Sequence, residues 1–327
     1  MRISFSKSVT ESLLAKIRSG EMMSRNEKFN LIIQLSIPSI LAQVTTVLMF
    51  YIDAGMVGSL GAEPSAAIGL VEPATWLFFS LVSAVTMGFS VQVAHFIGAN
   101  DFAKARAVMR HGYIFGLCFA LFLLLITFLI GSRLPVWLGG GADIQHDATV
   151  YFLIFSLIIP FHLIEYMSAA MLKVSGDMRR PSFMAILMCV LDVIFNYFFI
   201  FPTRTVSLFG VEVTMPGLGE GVAGAALGSL LSFVCVALPL AYYAIFRSPI
   251  LAWKQDVERF VWRWQYIWNA MKIGAPMALQ YLLMNGAQLV STMIVAPLGN
   301  IAIAAHSFAI TAESLYYMPG YGISEAA

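Results

Sequence analysis

Charge is scarce in this chain. Only 11% of its 327 residues are Asp, Glu, Lys or Arg, against about 25% in soluble domains. With 59% apolar residues and a mean hydropathy of +0.81, a soluble globular fold is excluded and a lipid bilayer is the expected surrounding. The net charge of +1 gives no ground for a nucleic-acid partner. Cysteine is nearly absent too. Cys118, Cys189 and Cys235 each lie in an apolar run, at spacings that fit neither a disulfide framework nor a zinc site, and are expected as small buried hydrophobes. There is no metal motif, nucleophile elbow or phosphate loop, so the enzyme classes fare worst and no cofactor is expected. Residues 1–30 lack the short apolar core and small-residue cleavage site of a secretory signal and read as a cytoplasmic leader.

What the chain has is long apolar runs. A membrane helix needs roughly 20 such residues, and eight runs qualify, at about 31–59, 68–97, 112–134, 149–172, 182–202, 221–246, 272–297 and 303–327. They are too long for strands and lack two-residue alternation. The expected fold class is an all-α polytopic membrane protein. Seventeen of the 19 Lys and Arg residues fall in 1–30 and in the loops after the second, fourth and sixth spans; only Arg133 and Arg204 fall on the other side. By the positive-inside tendency the N-terminus is cytoplasmic, and the plasma (inner) membrane is the expected location.

The first run also returns. Pro38 is matched by Pro276, Leu60-Gly61 by Leu298-Gly299 and Ala66-Ala67 by Ala304-Ala305, all at an offset of 238 residues. Six spans separate the copies, an even number, so both start on the same side and are parallel repeats. This predicts a six-helix lobe over 31–246, a cytoplasmic linker over 247–271, and over 272–327 the first two helices of a second lobe that stops short.

The candidate site residues are the polar groups inside the spans. Asp53 lies in the first, roughly 7–8 Å below its outer end at 1.5 Å per residue. A carboxylate there costs about 2.5–3.5 kcal/mol on insertion scales and is functional by default. Asp192 and Asn196 are four apart and share one face of the fifth helix. Ser229, in the sixth, falls at similar depth, and the small residues at 223–228 allow close packing there. Four oxygen-bearing side chains from three helices thus suit Na⁺ or a proton. Glu72-Pro73 reads as a first-turn pair with a capping role. Glu165 could line an inner vestibule but reads at least as well as a side chain snorkelling to the interface, and Glu313 in the eighth span could serve the second lobe, although its repeat counterpart is Thr75. A Met- and aromatic-rich wall would suit apolar cations, but most such side chains are expected to face lipid.

Three features resemble the multidrug and toxic compound extrusion (MATE) family over essentially all of 31–327. They are Pro38, Asp53 and Gly58 in the first span, the loop GANDFAKARAVMRHG, and KVSGDMRRP followed by GVAGAALGSLLS. The resemblance implies twelve helices in two six-helix lobes around a V-shaped cavity, truncated here after about eight. It implies export of cationic or apolar small molecules by alternating access, in exchange for Na⁺ or H⁺. It places Asp53, Asp192, Asn196 and Ser229 at the coupling site and adds Tyr151 as an aromatic at the start of the fourth helix. Some members carry Asn before Asp in the fifth helix, where this chain has Asp192 before Asn196. Some carry an acid in the seventh, where this chain reads Leu283-Met284-Asn285, so coupling is expected in the first lobe. The rival readings are a flippase for lipid-linked oligosaccharides, which would want intramembrane Lys or Arg, and an inactive fragment or interaction protein.

Overall fold

The computed structural model describes residues 16, 21–208, 211–255 and 260–326. Most of the leader therefore lies outside the described residues. Among them ten α-helices follow in order: α1 (Arg25–Gly58), α2 (Ala62–Gly98), α3 (Phe102–Gly131), the single turn α4 (Leu134–Trp137), α5 (Gln145–Ser156), α6 (Ile158–Val174), α7 (Arg179–Ile200), α8 (Gly221–Tyr242), α9 (Trp264–Val295) and α10 (Asn300–Ala326). With α5 and α6 counted together, one helix corresponds to each of the eight expected spans. Five are long and apolar enough to cross a membrane among the described residues, or six with the α5–α6 pair, which bends by 40°. The bend falls at Leu157 because Pro160 has no N–H to give the carbonyl of Ser156,.

Helix ends follow local chemistry. Ser24 and Glu27 form a reciprocal capping box at the start of α1,. The hydrogen bond from Lys16, reinforced by the Ser24 N–H, holds the Glu27 carboxyl down at about 2. Asp101 caps α3 through the Lys104 N–H, after a turn in which Asn100 takes φ +57°. From Phe102 on, the stretch GANDFAKARAVMRHG is not a loop but the first part of α3, which continues unbroken to Gly131. The repeat is visible in the backbone: Gly61 has φ 123° and Gly299 has φ 97°, both in a region that excludes side-chain-bearing residues. The same reversal thus joins α1 to α2 and α9 to α10.

One feature departs from expectation. Between α7 and α8 the chain forms an antiparallel hairpin, β1 (Pro202–Leu208) with β2 (Val211–Leu218). The segment TRTVSLFGVEVTMP alternates over only a few residues, so a scan for long runs passes over it. The hairpin marks one end of the bundle and the basic loops mark the other.

The core has two apolar clusters, one toward the basic end around Phe89, Met109, Leu163 and Met167, the other toward the hairpin around Leu70, Ile144, Phe152 and Ala226. Helix α2 contributes to both and is buried along its length. Outer faces carry large exposed hydrophobics such as Phe122, Leu129, Phe183 and Ile194, as a lipid-facing surface would. Cys118 and Cys235 are on such faces; only Cys189 is buried, so the expectation for cysteine holds at one position of three.

At the basic end the segment before α9 is tied to α3. Arg106 donates to the Ile250 carbonyl (3.0 Å) and Arg110 to the Trp253 carbonyl (2.8 Å), with the Arg110 guanidinium over the Trp253 ring. His111 accepts the Arg263 N–H at Nε2 (2.8 Å), so its proton is on Nδ1, 2.7 Å from the Ala107 carbonyl. Arg110→Ala should raise proteolytic cleavage within 250–263 about tenfold, from the loss of a charge-assisted hydrogen bond; limited proteolysis with mass spectrometry reads it.

Candidate functional site

Helix α7 carries two fully buried polar side chains. Asp192 is 0% and Asn196 1% exposed, and their spacing puts both on the face of α7 that meets α8 and α1,. Asn196 Nδ2 donates to Asp192 Oδ2 and to Asp53 Oδ1, each at 2.9 Å. A single amide nitrogen therefore bridges two carboxylates from different helices. Among the described residues neither carboxylate pairs with a lysine or arginine.

The close approach of α8 makes this possible. A Cβ at Gly224 would lie 2.6 Å from the Phe199 carbonyl carbon, and one at Gly228 would overlap Asn196 Oδ1 and come within 2.9 Å of its backbone nitrogen. With both positions bare, α8 lies directly on the backbone of α7. Ser229 faces the cavity beside Asp192. The hydroxyl that donates directly to Asp192 Oδ1, at 3.1 Å, belongs to Ser232. Sequence reasoning missed Ser232, although it follows Ser229 by three residues and so shares its face.

A cavity of about 290 Å³ adjoins this cluster. Asp53, Asn196 and Ser229 line it toward the hairpin end, and Glu165, Lys173 and Ser182 toward the basic end. Its middle is aromatic. Phe79 stacks on His162 (4.4 Å between centroids) and on Phe155 (5.5 Å), and Tyr151 stacks on Phe155 (5.3 Å). The aromatic residues, given little weight from sequence, thus form much of the wall, while methionine contributes only Met49 and Met188.

Tyr151 and Glu165 both line this cavity. Glu313 does not: it is exposed on α10 and apart from the cluster. Glu72 requires a correction. Helix α2 starts at Ala62, so Glu72 lies about three turns inside it and caps nothing. Its Oε2 accepts the Ser307 hydroxyl (2.9 Å) and its Oε1 the Trp76 indole N–H (3.4 Å). Asn285 donates to Ser80 Oγ at 3.1 Å, joining α9 to α2.

Comparison with known proteins decides the family. The MatE family profile matches residues 38–198 and 276–327. The chain belongs to the MatE family. The two matched segments begin at Pro38 and Pro276, the offset already seen in the repeat. Among curated relatives, a probable multidrug resistance protein NorM of Thermotoga maritima is 26% identical over 90% of this chain and 61% of its own length. The NorM of Pseudomonas aeruginosa is 31% identical over 90% and 58%. The multidrug export protein MepA of Staphylococcus saprophyticus is 22% identical over 86% and 59%. This MatE chain thus spans about three fifths of the length of the curated relatives it matches. Its fold is that of a MOP superfamily transporter from Pyrococcus furiosus (TM-score 0.77, 24% identity, 91% of this chain and 62% of that one). It is equally like an outward-facing MATE transporter (TM-score 0.79, 22% identity, 98% and 65%). The fold is an all-α polytopic membrane fold, with the hairpin as its one β element among the described residues.

Proposed function

We propose that this chain carries the ion-coupling half of an antiporter that exports organic cations in exchange for Na⁺ or H⁺. The observation that supports it is the amide of Asn196 bridging Asp53 and Asp192 at the edge of an aromatic-walled cavity. Two carboxylates this close repel when both are charged, and a proton or a small cation between them relieves the repulsion. The oxygens of Asp53, Asp192, Asn196 and Ser229 are hard donors, suited to Na⁺ and to protons alike. Aromatic faces and carboxylates in one cavity favour a bulky apolar cation.

In this reading the basic loops are cytoplasmic, residues 31–246 form one lobe, 247–271 link it to a second, and 272–327 open that second lobe. An ion entering from outside neutralises the Asp53–Asp192 pair. The hydrogen bonds through Asn196 then rearrange, α1 shifts against α7, and the substrate is released. Ion loss to the cytoplasm resets the carrier. The names of the NorM and MepA relatives agree with drug export.

Transport in proteoliposomes tests this. Ethidium should leave the cytoplasmic side only with an inward Na⁺ or proton gradient. Asp53→Asn should reduce gradient-driven flux by about tenfold or more, the loss of roughly 1.4 kcal/mol or more of coupling free energy. Because Asp53 and Asp192 meet on one amide, Asp192→Asn should add little to Asp53→Asn. Wild-type flux from Asp53→Asn would remove the coupling role.

A further inference from the structure

The carboxylate of Glu72 is not part of the Asp53 cluster. It lies on α2, shares no hydrogen bond with Asp53, Asp192 or Asn196, and among the described residues has neither lysine nor arginine as a partner. Two donors reach it, the Ser307 hydroxyl at 2.9 Å and the Trp76 indole at a long 3.4 Å. A carboxylate accepts about four hydrogen bonds, so half of its capacity is open, and it faces the cavity.

The backbone around Glu72 is arranged for the approach of α10. A Cβ at Gly69 would lie 2.6 Å from Ser307 Cβ, so only glycine lets the two helices meet there. Pro73, inside the helix, has no N–H for the carbonyl of Gly69,. The Glu72–Ser307 bond therefore latches α10 to α2 beside the close Gly69–Ser307 contact. The latch borders an aromatic chamber. Trp76 stands edge-on to Phe50 at 5.1 Å and to Phe79 at 6.1 Å, and Phe308, next to Ser307, also lines the cavity.

We propose that Glu72 is the group that receives the positive charge of the exported molecule, in competition with the Ser307 hydroxyl. The proposal rests on the organic-cation reading above and adds a substrate subsite separate from the coupling pair. A carboxylate without a basic partner, ringed by aromatic faces, fits an onium centre carrying apolar groups: charge meets charge while the rings cover the substituents. Occupation withdraws Glu72 from Ser307 and frees α10 from α2, so binding loosens a helix contact that holds in the empty protein. Glu72 and Asp53 line the same cavity, so positive charges held at the two repel each other. A cation on Glu72 therefore disfavours a second cation at Asp53, which is the antagonism an exchanger needs.

Calorimetric titration of the purified protein with tetraphenylphosphonium, an onium ion with no hydrogen-bond donor, tests the assignment. Glu72→Gln should weaken binding about tenfold or more, as expected for removing one member of a buried charge pair. It should leave binding of the neutral probe N-phenyl-1-naphthylamine unchanged. Glu72→Asp, which keeps the charge, should retain most of the affinity. Ser307→Ala removes the competitor and should tighten binding severalfold. Wild-type affinity in Glu72→Gln overturns the assignment, and so does a Ser307→Ala variant that loses as much affinity as Glu72→Gln, because Glu72 would then be a structural latch alone. If the wild-type protein binds the neutral probe but no onium ion, the organic-cation reading falls and the subsite with it. Should Glu72→Gln fail to fold, Ser307→Ala and Glu72→Asp still decide.

Discussion

Alanine at Gly228 should cost this protein its coupling site as well as stability. The added methyl would overlap Asn196 Oδ1 and press on the Asn196 backbone nitrogen. The amide cannot move away without leaving Asp53 or Asp192, and the nitrogen belongs to a helix. Overpacking of this kind typically costs about 1–3 kcal/mol, read as a lower unfolding temperature in detergent. The functional loss should exceed what that destabilisation explains, because α7 and α8 must part at the point where Asn196 bridges the carboxylates. Gly286→Ala in α9 is the control. A Cβ there meets nothing within 4 Å, and replacing a helical glycine by alanine gains about 0.5–1 kcal/mol. A Gly228→Ala protein as stable and as active as Gly286→Ala would mean that α8 does not lie against α7 as described.

How much was legible beforehand differs between architecture and site. The spans could be read because a helix in lipid must be apolar for some 20 residues, a signal that survives without any partner. The repeat could be read because glycine at 61 and 299 and alanine at 66 and 304 answer to backbone geometry, which sequence preserves. Asp53, Asp192 and Asn196 stood out because charge inside a span is rare. What could not be read was anything set by a neighbouring helix. Ser232 and Ser229 share one face of α8, about 60° apart, and only the way α8 is set against α7 decides which hydroxyl reaches Asp192. Glu72 was misplaced because the proline after it looked like a helix start, whereas α2 had begun at Ala62. Its partner Ser307 lies 235 residues away, and no local pattern connects them. The bend at Leu157 and the short hairpin fell below the length scale of a hydropathy scan. The aromatic wall escaped because a phenylalanine facing a cavity and one facing lipid are the same letter.

The contact between α2 and α9 should prove the least tolerant of substitution. It is antiparallel and reciprocal. A Cβ at Gly88 of α2 would overlap the Ala270 carbonyl oxygen and lie 2.9 Å from its carbon, and a Cβ at Gly274 of α9 would lie 2.8 Å from the Ala84 carbonyl oxygen. Each helix thus presents one bare glycine to the other's backbone, a turn apart, in the small-residue manner of membrane helices. Gln92 completes the contact by donating to the Tyr266 carbonyl at 3.0 Å. Gly88→Val places a branched side chain against a backbone that cannot rotate away, at a cost of about 3 kcal/mol, the upper end of overpacking penalties. Hydrogen exchange should then show residues 264–275 losing protection while α7 and α8 keep theirs. The selectivity carries the argument. The Asn285–Ser80 bond lies further along the same pair of helices, so α9 should come away at the basic end first and pivot about Ser80. Uniform loss of protection across the chain would show that Gly88 supports the whole bundle, and unchanged protection at 264–275 would show that α2 and α9 do not dock through their glycines.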